Sequence, residues 1–294
     1  MKRMVLIMVL ALAPMPGVLR AQQRLDEKRS ASPNGVVEID NSAVSIRVIG
    51  WNRPEVTVTG TLGPGAEGLD ISGSSRHTQI SVETEGRNPH GVSSDLEIHV
   101  PAGSRVEINS FAANVVVFDV TGAVTAEGVN RNIAVSGASK EVSAQTVNGT
   151  VDVSGATGRV HAESVNGSVT LKGVGGSVEA NTVNGRLVVT GGSLERAQME
   201  TVSGSLRFEG DVTKEGSVEA QTVSGGVDLV LPASISADFS LTTFSGDIQS
   251  EFGGAARRTS KFTSEKELEF MTGNGNAKVQ VQTLSGAIVV KKRL

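Results

Sequence analysis

The chain has 294 residues, of which 38% are hydrophobic, 20% charged and only 3% aromatic, with no Cys, no Tyr and a formal net charge of −4. The acidic balance disfavours nucleic acid and anionic lipid as partners. Without cysteine there is no disulfide, thiolate metal site, cysteine nucleophile or lipid-anchoring thiol.

In chain order, residues 1–21 (MKRMVLIMVLALAPMPGVLRA) read as a signal peptide. Lys2 and Arg3 form a basic start, Met4 to Ala13 form an apolar run too short to span a bilayer, and Ala21 is the expected last residue removed. Cleavage removes Lys2, Arg3 and Arg20 and no acid, so the net charge falls from −4 to −7. The mature chain has no second apolar run long enough for a transmembrane segment. It is expected in the periplasm, or at the cell surface or outside it. Residues 22–35 are polar and are expected to form a flexible lead. Residues 36–110 hold alternating stretches (VVEID, AVSIRVIG, EVTVTG, QISVET, LEIHV) separated by loops at Gly63-Pro64-Gly65 and Asn88-Pro89-His90. They are expected to form broader β coils that begin the same architecture as the segment after them.

From Phe111 a repeat takes over. Its signature is an apolar residue, then Asn or Ser, then Gly, at Val147-Asn148-Gly149, Val165-Asn166-Gly167, Val183-Asn184-Gly185, Val202-Ser203-Gly204, Val223-Ser224-Gly225, Phe244-Ser245-Gly246 and Leu284-Ser285-Gly286. Degenerate copies stand at Phe111 and Val129, and the spacings run 18, 18, 18, 18, 19, 21, 21 and 40. A fixed short period marks a repeat architecture. The last gap is expected to span two coils, one without the signature. Within a repeat, apolar residues fall at offsets 0, 4, 6, 9, 13 and 15, as in Val147, Val151, Val153, Ala156, Val160 and Ala162. The pairs 4,6 and 13,15 alternate with polar residues, as strands with one buried face do. Gly is expected at the corners because a sharp turn asks for positive φ.

An outer-membrane barrel needs aromatic girdles and strands of about 9–11 residues, and this chain lacks both. A hairpin meander explains Asn-Gly turns but not why one turn type recurs at every second corner. Stacked coils explain it, because equivalent residues then lie about 4.8 Å apart in ladders. A hexapeptide helix wants an apolar residue every six, which the offsets do not supply. The predicted fold is therefore all-β: a single-stack β-solenoid (β-helix) with about 18–21 residues and two short strands per coil, regular over 111–249. The predicted turn ladder is Asn148, Gly149, Asn166, Gly167, Asn184, Gly185, Ser203, Gly204, Ser224, Gly225, Ser245, Gly246, Ser285 and Gly286. A hydroxyl column precedes it at Thr146, Ser164, Thr182, Thr201, Thr222, Thr243 and Thr283.

Residues 250–294 are expected to be C-terminal coils carrying an excursion over 250–275. This excursion holds Phe252, Phe262 and Phe270 and is expected to cap the open core. Val100-Pro101-Ala102 is echoed at Leu231-Pro232-Ala233, as if two subdomains start alike. Lys291-Lys292-Arg293 would guard a terminal strand against edge pairing.

Chemistry is sparse. His77, His90, His99 and His161 are not at metal-ligand spacing. Asp152 and Asp228 share a column but stand four coils apart, about 19 Å, whereas paired carboxylates in glycoside hydrolysis stand about 5–10 Å apart. No catalytic residue, metal site or cofactor site is predicted. The strand ending in Val100-Pro101, the serial Val-Asn/Ser-Gly coils, and the close from Gly275-Asn276-Ala277-Lys278-Val279 through Thr283-Leu284-Ser285-Gly286 together resemble a bacterial family of β-strand-repeat proteins described as "putative adhesins". The resemblance covers nearly all of 36–294. It implies an exported solenoid without established catalysis and supplies no functional residues to carry over. The expected function is a non-enzymatic, adhesin-like or envelope-associated binding scaffold for an envelope protein or surface glycan. Two alternatives stand: a polysaccharide lyase or hydrolase on the same fold, and a structural envelope protein that self-associates end to end.

Overall fold

The computed structural model describes residues 23–41, 45–63, 65–84, 94–137 and 139–293. The predicted signal peptide, the Asn88-Pro89-His90 loop and His90 lie outside these residues. The described chain is all-β, with 25 strands and no helix. The N-terminal strands are β1 (Gln23–Ser30), β2 (Val36–Asn41), β3 (Ser45–Trp51), β4 (Glu55–Leu62), β5 (Ala66–Ser74), β6 (His77–Thr84) and β7 (Ser94–Pro101). The middle holds β8 (Arg105–Ser110), β9 (Asn114–Phe118), β10 (Ala123–Gly128), β11 (Ile133–Ser136), β12 (Glu141–Thr146), β13 (Val151–Ser154), β14 (Arg159–Ser164), β15 (Val169–Lys172), β16 (Gly176–Asn184), β17 (Leu187–Ser203) and β18 (Leu206–Ser224). The C-terminal strands are β19 (Val227–Pro232), β20 (Ala237–Ser245), β21 (Ile248–Ser250), β22 (Arg257–Arg258), β23 (Lys266–Met271), β24 (Ala277–Ser285) and β25 (Ile288–Arg293).

In the middle every coil lays one strand segment on each of two faces, parallel to its equivalents; up to β16 the segments are separate short strands, as expected, whereas β17 and β18 each run through both faces as one long strand with shifts of register at the corner. Val142 pairs in register with Val160 and Val160 with Val178 on the first face; Val151 pairs with Val169 and Val169 with Leu187 on the second. The fold is thus the predicted β-solenoid. Its interior is thin. Val142, Ala144, Val151, Val153, Ala156, Val160 and Ala162 are all buried, each Val contributing roughly 1.5–3 kcal/mol relative to an exposed side chain. Isoleucines fill the N-terminal end, at Ile39, Ile46, Ile80, Ile98 and Ile108, and the buried aromatic rings, Phe208 and Phe239, lie toward the C-terminal end. Offset 0 departs from this pattern. Val147, Val183, Val202 and Val223 are exposed, because the alternation that buries Thr146 turns its successor outward.

The two corners use glycine for different reasons. Gly137, Gly155, Gly173 and Gly191 have positive φ, as a sharp turn requires. At the Asn/Ser-Gly corner Gly225 alone has it, at φ 156°; Gly149, Gly167, Gly185, Gly204, Gly246 and Gly286 avoid that region, contrary to expectation. Their constraint is steric. A Cβ on any of the six would lie 1.8–2.1 Å from a carbonyl oxygen of the adjacent coil.

Both ends of the stack are built out of sequence order. At the C-terminal end β24 lies between β18 and β20, and β25 between β19 and β21. The last coil therefore fills a slot that the chain skipped in passing from β19 to β20. The 40-residue gap is not a coil without its signature. It is the outermost coil, the excursion and the return. Lys291, Lys292 and Arg293 accordingly stand on an internal strand, paired with Val230–Pro232 of β19 on one side and running past the end of β21 on the other. Lys291 Nζ lies 3.2 Å from Asp228 Oδ1, and Arg293 pairs with Asp211. At the other end β2 lies between β6 and β8, and β3 between β7 and β9. The echoed Val-Pro-Ala and Leu-Pro-Ala segments are where the chain steps over the inserted coil; they do not start subdomains.

Antiparallel strands close both ends. β1 pairs with β4, β4 with β7 and β5 with β6. Residues 23–30, expected in a flexible lead, are therefore a full strand. In the excursion β23 runs antiparallel on β20 and buries Leu268. Phe239 stacks on Phe270 at 4.4 Å and on Phe252 at 5.6 Å between ring centres, whereas Phe262 is 97% exposed.

Candidate functional site

The predicted ladder residues lie along one edge of the solenoid, at the corner where the first face turns into the second. Asn148, Asn166 and Asn184 each donate from the side-chain amide to the amide oxygen one coil back, onto Asn130, Asn148 and Asn166, at 2.9–3.0 Å. Ser203, Ser224, Ser285 and Ser245 continue the column in that spatial order, so the last two are exchanged relative to the sequence. Beneath them the hydroxyl column is buried, and its geometry explains the triplet. Ser164 and Thr182 donate at 2.8 Å to the carbonyls of Gly149 and Gly167. Thr243 donates to Gly286 at 3.1 Å. The same carbonyl is pressed against the glycine of the next coil, so hydroxyl and bare Cα together close the corner. Thr222, in the 21-residue coil, is buried with its hydroxyl unpartnered.

The residue between hydroxyl and Asn/Ser is the exposed apolar one. Phe111, Val147, Val183, Val202, Val223, Leu284 and Phe244 are 38–54% exposed, and Val129 and Val165 are half-buried members of the same column. Two residues earlier on the same face stands a polar column that includes Gln145, Glu163, Asn181, Glu200, Gln221, Gln282 and Thr242. Between the two columns runs a groove of about 750 Å³ lined by Glu163, Asn181, Val183, Glu200, Val202, Gln221, Val223, Gln282, Leu284, Thr242 and Phe244, with the hydroxyl column beneath and Glu265 at the capped end. Asn181 Oδ1 is buried in this groove without a hydrogen-bond partner. Sequence reasoning missed the groove because it grouped offset 0 with the core offsets. The available signal was that Gln145, Thr146 and Val147 alternate, so a buried Thr146 puts Val147 outside.

The titratable groups are dispersed. His77 meets Glu38 at 3.1 Å, His99 packs on Trp51 at 4.8 Å between ring centres, and His161 stands 3.8 Å from Glu163 and 3.5 Å from Glu179. Asp152 and Asp228 belong to one outward column, with Thr170, Val188 and Arg207 between them. Arg207 bridges Glu209 at 2.7 Å and Asp228 at 2.6 Å; the Glu209 hydrogen bond, then both negative charges, raise its pKa above the ordinary arginine value. Asp247 pairs with Lys266, which holds its carboxyl below the usual carboxylate range. Among the described residues no group of three His, Asp or Glu side chains is placed to hold a metal, and no helix is long and apolar enough to cross a membrane.

A parallel β-solenoid with an apolar column beside a polar groove is a repeat protein of the stacked-coil class. The family model described as Toastrack DUF4097 matches residues 36–291, and the chain belongs to that family. No curated protein matches it. Solved structures similar to it include a "putative cell adhesion protein" of Clostridium sporogenes, at 10% identity and TM-score 0.25 over 92% of this chain and 100% of that one. Others are a "putative adhesin" of Parabacteroides distasonis (12%, TM-score 0.36, over 91% and 97%) and one of Bacteroides fragilis (11%, TM-score 0.36, over 92% and 98%). At such TM-scores these likenesses carry no argument about function.

Proposed function

We infer that this protein is an exported, non-enzymatic binding scaffold of adhesin-like or envelope-associated type, and that it binds through the Asn/Ser-Gly corner. The observation that carries the reading is the apolar column itself. Monomeric proteins rarely leave a contiguous apolar stripe in water without an interaction to serve, and this one is repeated coil after coil beside an open groove. The Asn and hydroxyl columns hold the stack beneath it and keep the spacing constant. The export expectation rests on the basic, then apolar, then small-residue pattern at residues 1–21. The dispersed carboxylates and imidazoles support a scaffold over a lyase or hydrolase.

The test pairs binding with turnover. Purified protein should leave uronate and neutral polysaccharides uncut, with or without calcium. It should bind an envelope fraction or intact cell surface and lose that binding when Val202→Glu places a charge in the outward column. Turnover abolished by Asp152→Asn, Asp228→Asn or Asp247→Asn would establish the enzyme instead. N-terminal sequencing of the exported product should begin at Gln22.

A further inference from the structure

We propose that the partner of the corner is a second copy of this chain, lying alongside the first with the two stacks parallel, in register and related by a two-fold axis along the column. The proposal rests on the corner being the binding face and goes on to name what covers it.

Periodicity argues first. The apolar column repeats once per coil, about 4.8 Å. An extended peptide laid along it presents same-face side chains every two residues, roughly 6.4–6.8 Å, and falls out of step within two coils. A second solenoid carries the same period and stays in step over the full column, as facing ladders do in dry zippers of stacked strands. The column is also suited to meeting itself. Its middle is valine throughout, and its aromatic residues, Phe111 and Phe244, stand at its two ends. An isologous contact needs such self-complementarity.

The flanking columns then select the orientation. On one side of the apolar column lie the acid and amide residues; on the other lies the Asn/Ser ladder. A two-fold axis along the column sets each side against the other side of the partner, level by level. Glu163 then faces Asn166, Glu200 faces Ser203, and Asn181 faces Asn184. Each ladder amide has two hydrogens and spends one on the coil behind it. The second is free to donate to a facing carboxylate or amide oxygen. The antiparallel alternative pivots on Val183 and sets Glu163 against Glu200, a like-charge contact that disfavours it. End-to-end association is a poorer use of the molecule, because antiparallel strands already cover β20 and β7 at the two ends.

The absence of cysteine makes the test clean. Light scattering of the mature protein over a concentration series should reach twice the monomer mass, and Val202→Glu should hold it at monomer with the melting curve of wild type diluted to monomer. Val147→Cys and Val202→Cys, introduced singly and treated with a short bis-maleimide, should each give covalent dimer at least ten-fold faster than Thr170→Cys, which lies on the second face. A monomer at every concentration overturns the proposal. So does crosslinking at Val183→Cys alone, which is the antiparallel signature, or crosslinking equally fast at Thr170→Cys. A monomeric wild type whose capture by a cell surface is still lost in Val202→Glu overturns self-pairing and leaves the corner as a binding face. Retention of that capture in Val202→Glu, with the wild type monomeric, overturns both.

Discussion

The middle of this solenoid and its two ends are made of the same coil, and they are assembled by different rules. Between Arg105 and Ser203 each coil lies on the one before it in sequence, with partners 18 or 19 residues apart. At the ends order breaks. β2 and β3 at one end, and β24 and β25 at the other, occupy slots between coils that sequence places elsewhere. The regular middle can grow by nearest-neighbour stacking, as repeat proteins do. The ends cannot, because the outermost coil must be held in place before the chain returns to fill the gap beneath it. The arrangement keeps both chain ends of the solenoid on paired strands and hands the exposed edges to antiparallel closures, which blunts the edge-pairing hazard of an open sheet.

The comparison is broken most severely by removing one coil from each region. Deleting residues 147–164 joins Thr146 to Val165 and restores the ladder one level shorter. The loss should be about 1–3 kcal/mol, in proportion to 18 residues of an ordinary domain, with a single denaturant transition. Deleting 276–294 removes a similar length but empties the slot. It exposes the partners of Val279, Val281, Ile288 and Val290, a loss on the order of 10 kcal/mol at roughly 1.5–3 kcal/mol per side chain. Hydrogen exchange should show the outermost coil and β23 unprotected. Equal losses from the two deletions would mean that the inserted coil stacks like any other.

Within the middle, alanine isolates the carbonyl contact of the Asn/Ser-Gly corner. Gly167→Ala drives a Cβ to 1.9 Å from the Gly149 carbonyl oxygen and should cost about 3 kcal/mol or more. Gly128 has nothing nearer than 3.7 Å to an added Cβ and no positive φ. Gly128→Ala should be neutral or stabilise by about 0.4–1 kcal/mol. Chemical denaturation of the pair decides it; similar values would remove the carbonyl-contact account of the corner.

The smallest effect concerns the C-terminal closure. Lys266 on β23 lowers the pKa of Asp247 in the folded state. Asp247 therefore contributes stability that is fully present above its unfolded pKa, about 3.9, and is lost as pH falls through the lower folded value. In Asp247→Asn the acid limb of the pH–stability curve should flatten slightly across that window and match wild type below it. An unchanged acid limb would show that the exposed pair contributes nothing to holding the cap.

The sequence by itself determined the coil. The Thr-Val-Asn-Gly beat, with alternating pairs such as Val151 and Val153, specifies strand, corner and period, because those are local constraints that recur within some twenty residues. It also placed the Asn and hydroxyl columns, since any stack with a constant period brings equivalent residues together. Tertiary structure alone decided three things. Coil order at the ends depends on which strand edge is free when the chain returns, and no local signal separates Leu284 one level beyond Val223 from Phe244 there. The reason for Gly167 is a carbonyl from the neighbouring coil, not its own dihedral angle. The exposure of Val147 and its equivalents was invisible to an apolar count, because hydrophobicity is the same on either side of a strand; only the burial of Thr146, whose hydroxyl donates to the Arg131 carbonyl of the adjacent coil, fixes which side faces water.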